Sequence, residues 1–309
     1  MHINTRGLLM KKLCMLLFLW SLTVFPLTTF AKVNVFSCHP EWTSLVLEIG
    51  QSNVNIKTAT NAFSDPHFIR AKPSLLAAIR NADLVICTGN QLEIGWLPIL
   101  LERAKSSVQP GQIGNIMASD YVSSLEVPTI LDRSQGDVHP GGNPHVHLNP
   151  HNLLKVAEIL AIRLGRIDDK NASFYTQSLI SFKIKWLNAI SRWESQSTPL
   201  KNMPIVVYHK NWAYFSNWLG LSRVVSLEPK PGIPPSPSHL KNILNQLKEN
   251  PARVIIRTPF ENAKPSTWLS QQTGIPDLVL PYTVGGNKQS TNLYGLFDSM
   301  IGKLLEING

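Results

Sequence analysis

Short apolar runs alternate along this chain with longer stretches in which apolar positions recur every three or four residues. "VNVFSC" (33–38), "VNIKTAT" (54–60) and "DLVICTG" (83–89) read as strands. Between and after them, "PEWTSLVLEIG" (40–50), "KPSLLAAIRNA" (72–82) and "GWLPILLERAK" (95–105) read as helices. Pro40, Pro73 and Pro98 suit first turns, where the missing N–H costs nothing. The alternation resumes late in the chain. There "MPIVVYH", "SRVVSLE", "ARVIIRT" and "DLVLPY" are strands. "NWAYFSNWLG", "SHLKNILNQLKEN", "NAKPSTWLSQQTG" and "NLYGLFDSMIGKLLEI" are helices. Strands that alternate with helices predict parallel sheets covered by helices.

The middle of the chain has a different period. "NLLKVAEILAIRLGRI" (152–167) and "NASFYTQSLISFKIKWLNAISRWES" (171–195) are helical throughout, and the second contains no breaker. It would span roughly 35 Å, about the height of a domain. The expected fold class is therefore α/β, with two lobes of parallel sheet flanked by helices and joined by one long rigid helix. The expected boundaries are 32–151 for the first lobe, 152–200 for the helical segment and 201–309 for the second lobe.

Residues 1–31 stand apart. Arg6, Lys11 and Lys12 precede the uncharged run "LCMLLFLWSLTVFPLTTF", and Ala31 closes it. This layout predicts a cleaved signal peptide. The rival, a membrane anchor, is weakened by Pro26 and the threonines at the end of the run. Cys14 lacks the small neighbours of a lipobox. Export places the mature protein in the periplasm of a double-membrane bacterium. Removing residues 1–31 takes away three cations and no acid, so the formal charge falls from +9 to +6. The remaining Lys and Arg are scattered, without runs or aromatic platforms, so nucleic acid is not an expected partner.

Two cysteines remain, Cys38 and Cys87, each ending a strand-like segment. An oxidising compartment invites a bridge between them. Sequence does not fix the Cα separation a bridge needs, so two buried thiols remain the other outcome.

The candidate chemistry is histidine. "GDVHPGGNPHVHLNPHN" (136–152) holds His139, His145, His147 and His151, four of the nine in the chain. His67 follows the second strand and His209 ends "VVYH". In open α/β sheets, ligands bind beyond the carboxyl ends of strands. If the lobes face each other, His67, a loop histidine and His209 could meet there and hold a metal. Nitrogen donors favour zinc. Each histidine alone has a plainer role as a loop or strand-end residue. His39 and Glu41 also lie beyond the first strand, where an acid in a first helical turn is a sufficient account of Glu41.

Four segments in order resemble one family, the solute-binding proteins of ABC transporters for zinc and manganese (metal-binding cluster A-I, zinc-uptake type). They are "DPHFIRAKPS", "NPHVHLNP", "VVYHKNWAYF" and "LEPKPGIPPSPSHLKNI". The likeness spans the mature chain. It implies His67, His145 and His209 as metal ligands, with His145 chosen because it follows Pro144. It implies Zn2+ as transported ligand and an inner-membrane ABC permease with its ATPase as partner, served by a monomer. Where relatives often have a fourth-ligand Asp, this chain has "LPYTVGG" with Tyr282. Water, His139, His147 or Glu228 is then the expected fourth or transient contact. His209, where a manganese protein would carry a carboxylate, favours zinc over manganese or another divalent ion. Three histidines and an open position are also the layout of a catalytic zinc. However, no H-E-x-x-H, G-x-S-x-G, Walker A or Rossmann motif is present, so the chain is expected not to be an enzyme. An adhesin role has no specific support in the sequence.

Overall fold

The computed structural model describes residues 31–130 and 136–308. The leader expected at 1–31 lies outside them apart from Ala31. Among the described residues no helix is long and apolar enough to cross a membrane.

The first sheet contains β1 (Val33–Ser37), β2 (Val54–Thr58), β3 (Leu84–Cys87) and β4 (Asn115–Met117), in the order β2-β1-β3-β4. The second contains β5 (Pro204–Val207), β6 (Ser222–Ser226), β7 (Val254–Arg257) and β8 (Asp277–Val279), in the order β6-β5-β7-β8. Every pairing in both sheets is parallel. The two orders are equivalent, so the second lobe repeats the topology of the first. In each, the first strand in sequence sits inside the sheet, and the chain leaves it in opposite directions to build the two halves. That reversal is the switch point at which open α/β sheets bind ligands.

Helices α1 (Pro40–Gly50), α2 (Pro73–Asn81) and α3 (Leu97–Leu101) accompany the first sheet. The helix expected over 95–105 is thus much shorter. Trp96 takes a non-helical conformation at its start, and after Leu101 the chain continues in turns. Strand β4 escaped the pattern because three residues, Asn115 to Met117, are too few to show a period.

Helices α4 (Pro150–Ile167) and α5 (Ala172–Gln196) pack against each other. At 25 residues, α5 is about 37 Å long. It buries Tyr175, Phe182, Trp186 and Trp193 on one face and leaves Ile180, Ile184 and Leu187 on the other. Helices α6 (Ala213–Leu219), α7 (Pro237–Glu249), α8 (Ala263–Thr273) and α9 (Leu293–Asn308) complete the second lobe. Gly220 and Gly274, both at positive φ, end α6 and α8, where a Cβ would be strained.

A single apolar cluster runs from Val35 and Ile86 in the first sheet, through Trp186 and Trp193, to Ile205 and Ile256 in the second. Cys38 and Cys87, whose Cα atoms are 4.9 Å apart, are joined at the carboxyl edge of the first sheet.

Candidate metal centre

Each residue of the candidate centre follows the carboxyl end of a different strand. His67 follows β2, His145 follows β4, His209 follows β5, Glu228 follows β6 and Tyr282 follows β8. The folded chain brings His67, His145 and His209 together, with one donor atom from each within 4.8 Å of the others. Their ring centroids lie 5.6–5.9 Å apart. Zinc held tetrahedrally at ~2.0–2.1 Å would place its nitrogens roughly 3.4 Å apart. Small side-chain rotations therefore close the gap.

Two of the three rings are held from behind by carboxylates. His67 Nδ1 is 2.8 Å from Asp65 Oδ1, and His209 Nδ1 is 2.6 Å from Glu228 Oε2. A carboxylate accepts, so Nδ1 of each ring carries the proton and Nε2 is left as the free donor. His67 Nε2 is in fact buried without a hydrogen-bond partner. The third ring differs, because His145 Nδ1 lies 2.8 Å from the hydroxyl of Tyr282.

Local turns set these positions. In Asp65-Pro66-His67, the Asp65 carboxylate also accepts from the His67 backbone N–H at 3.0 Å. In Asn143-Pro144-His145, Asn143 Oδ1 accepts from the His145 N–H at 3.1 Å. Asn149-Pro150-His151 repeats the turn at 2.9 Å, and there it caps α4. The side-chain oxygen mimics a turn carbonyl and proline fixes the next φ, so each turn presents its histidine in the same way. The third presents His151 to the surface, against Glu194. Asn143 does a second job, since its Nδ2 donates to the Lys210 carbonyl at 2.7 Å and ties the histidine loop to the His209 segment.

His139 and Asp137 form a second group with His67. The His67 and His139 rings are 5.5 Å apart, and Asp137 Oδ2 is 3.8 Å from His67 Nε2. His139 Nε2 is buried without a hydrogen-bond partner. The histidine loop therefore lies over the centre, as one side of a cavity of roughly 310 Å³ also lined by His145, His209 and Lys210.

Two expected contacts fall elsewhere. His147 sits on a short turn (Val146–Leu148) that aims it inward, away from the His67–His145–His209 group. Its Nε2 is 3.0 Å from the Tyr282 carbonyl and its Nδ1 faces Glu41 Oε1 at 3.6 Å. Glu41 also accepts from Thr283 Oγ1, so this buried group stitches the lobes together. Glu228 stands behind His209, its Oε2 taken by the ring and by the Gly232 N–H at 3.0 Å. His39 is buried against Glu93 at 2.9 Å.

The electrostatics favour a neutral ring at His145 and at His139. Burial holds the His145 pKa well below its ordinary value, and the neighbouring His209 and His67 add to the fall. Burial lowers His139 to about 4, again with help from His67. Neutral imidazole is the form that binds metal. Burial pulls Asp65 upward, but its hydrogen bonds to His67 and the electrostatic pull of His67 and His209 together hold it below the usual carboxylate range. Glu261 lines the inner pocket with Asp65 and Glu228, and burial pushes it up to about 8. Asp65, Asp137 and Glu261 received no role from the sequence. The Asx-Pro-His spacing was the available signal for Asp65, while nothing local marks Glu261.

Residues 35–306 match the model of a family described as ZnuA, zinc-uptake complex component A, periplasmic. The manganese ABC transporter substrate-binding lipoprotein PsaA of Streptococcus mitis is 22% identical over 283 residues, covering 89% of each chain. The metal ABC transporter substrate-binding lipoprotein FimA of Streptococcus parasanguinis is 21% identical over 250 residues, covering 79% of this chain and 78% of its own. Among solved structures, a crystal structure of ZnuA aligns with a TM-score of 0.74 at 21% identity, covering 90% of this chain and all (100%) of its own. The Mn-bound periplasmic metal binding protein from Candidatus Liberibacter asiaticus aligns at 0.73 and 20% identity, over 90% and 100%. With its two parallel four-stranded sheets and long connecting helix, and with the match running through almost all of residues 32–309, the chain belongs to the ZnuA family of periplasmic zinc-uptake components.

Proposed function

We propose that this protein captures zinc in the periplasm, between its two lobes, and delivers it as a monomer to an ABC-type permease driven by an ATPase. Zinc is cargo here. The observation that carries the reading is the convergence of three imidazoles, His67, His145 and His209, with the Nδ1 atoms of His67 and His209 tied to carboxylates. Three nitrogen donors suit zinc better than manganese, which prefers oxygen. The fourth position falls to Asp137, His139 or water, since Asp137 and His139 are the further groups beside His67. The reading is one of carriage rather than catalysis, in keeping with a family of uptake components.

Manganese is the second reading. Relatives such as PsaA are named for it, and Asp137 offers one oxygen near the centre. Calorimetric titration of metal-free protein (residues 32–309) with each ion separates the two. One zinc per chain is expected, with manganese far weaker. His67→Ala, His145→Ala and His209→Ala should each cost more than about 100-fold in zinc affinity, beyond the loss of an outer-shell partner. Tighter manganese than zinc would reverse the choice. Binding that survives all three substitutions would remove the centre.

A further inference from the structure

The three histidines are backed by chemically unlike groups, and this difference has a consequence for release. Asp65 and Glu228 only accept, so His67 and His209 are locked with the proton on Nδ1 and a lone pair on Nε2. Tyr282 can accept or donate. At 2.8 Å from His145 Nδ1, its hydroxyl supports two arrangements. In one, Nδ1–H donates to the phenol oxygen and Nε2 is open to metal. In the other, the phenol donates to Nδ1, and Nε2 carries a proton that points into the centre and refuses metal. Exchange takes one proton from Nε2 to water and returns one to Nδ1. Ring and phenol both end neutral, and no net proton is gained.

The phenol is also fixed in place, which confines the switch to protons. The Tyr282 ring packs against His147 at 4.9 Å, Phe260 at 5.5 Å and His145 at 5.6 Å. Its carbonyl accepts from His147 Nε2, and its neighbour Thr283 donates to Glu41. A phenol ordinarily ionises only near pH ~10, so at neutral pH it does not become an acceptor-only phenolate. Glu41 and His147 belong to the first lobe and its loop, so a shift at the lobe seam reaches Tyr282.

We propose that Tyr282 is a positioning residue that makes His145 the exchangeable ligand of the centre, by allowing its ring both a metal-binding and a metal-refusing tautomer. Metal then leaves His145 first, while His67 and His209 stay preset. The metal-free protein pays for the refusing fraction in apparent affinity, since only the competent fraction binds. The proposal rests on the three-histidine reading above.

The test is the ring tautomer itself, read by long-range 1H–15N correlation on 15N-labelled residues 32–309. The spectra are recorded metal-free and with one equivalent of zinc. Expected in the metal-free protein is a proton on Nδ1 of His67 and His209 but substantial Nε2–H at His145. Zinc should convert His145 to Nδ1–H with metal on Nε2. Tyr282→Phe removes the hydroxyl that, among the described residues, faces Nδ1, so it should raise the Nε2–H fraction of His145 and weaken zinc by about 10-fold. His67 and His209 should keep their tautomers, which a general loosening of the site would not spare. If His145 is wholly Nδ1–H without metal, yet zinc still binds its Nε2, the proposal fails and the metal reading stands. If zinc leaves the His145 nitrogens unmoved, the metal reading fails and the proposal goes with it.

Discussion

Glu228 offers the sharpest check on how the centre is built, because its two bonds fall on one oxygen. Oε2 accepts from His209 Nδ1 at 2.6 Å and from the Gly232 N–H at 3.0 Å. In Glu228→Gln, the amide oxygen can take that place and accept both. Geometry survives and only the charge is lost. A hydrogen bond to a charged group nets ~1.5–3 kcal/mol, against ~0.5–1.5 for a neutral one, so the bond itself weakens by about 1 kcal/mol. The part that matters is the part that grows when a dication arrives on the far side of the ring. Loss of such an outer partner costs about 10- to 100-fold in affinity. Retained geometry places Glu228→Gln at the lower end, about 10-fold or ~1.4 kcal/mol. Glu228→Ala, which removes the acceptor as well, belongs near 100-fold. His209→Ala should exceed both. Competition against a chromogenic zinc chelator at low salt and constant pH measures all three. If Glu228→Gln matches His209→Ala, the carboxylate is itself a ligand and the account of the centre is wrong. If it stays within about twofold of wild type, Glu228 does not orient the ring, contrary to the usual role of such partners.

Metal-free protein should lose stability as the pH falls below about 6.5. The folded pKa of His145 is depressed by burial and then by His209 and His67, so the unfolded chain binds a proton there first. Stability is therefore full above the unfolded value and declines on acidification, by at most about 1.4 kcal/mol per pH unit for each such ring. His147, lowered by burial, acts in the same sense, as does His139 down to about 4. His39 opposes them: burial pulls its pKa down, but the hydrogen bond to Glu93 and the charges of Glu41 and Glu93 together outweigh this and raise it. A melting temperature that is flat between these limits would refute the balance. The bridge between Cys38 and Cys87, 49 residues apart in sequence, should contribute about 4 kcal/mol through loop entropy in the unfolded chain. Urea unfolding of a Cys38→Ser/Cys87→Ser variant tests it, and an unchanged midpoint with unchanged slope would refute it.

The layout of the fold was readable because its signals are local. Seven of the strands and the two central helices follow from apolar runs, periodic stripes and proline or glycine punctuation, while β4 with its three residues does not. The candidate ligands were readable for a different reason: strand ends in an α/β sheet are where a ligand-binding residue can stand. What surrounds them was not readable. His145 and Tyr282 are 137 residues apart, and Thr283 and Glu41 are 242 apart. No local pattern encodes which hydroxyl meets which ring. His147 shows the same limit at short range. It lies two positions from His145, yet one short helical turn directs it into the lobe seam instead of the cleft.

The lobe seam also bears on how cargo is let go. The apolar cluster is continuous through α5, where Trp193 packs on Phe297 at 5.0 Å and Trp186 on Tyr294 at 4.9 Å. Around the centre, Tyr214 in the second lobe donates from its hydroxyl to the Asn143 carbonyl at 2.8 Å and accepts from the Leu125 N–H at 3.0 Å. Arg223 pairs with Glu126 at 2.6 Å. A wide hinge motion would break these bonds and expose several aromatic rings. At ~1.5–3 kcal/mol for each large apolar side chain uncovered, three rings would cost about 5–9 kcal/mol, comparable to the whole stability of a typical domain. The outer part of the histidine loop, residues 136–141, is exposed or half-buried and can move without that cost. Small-angle scattering should therefore give nearly the same profile with and without zinc, and acrylamide should quench Trp186 and Trp193 no faster after metal removal. A clear lobe rotation, with those tryptophans becoming accessible, would mean that the seam opens and that release is a hinge motion after all.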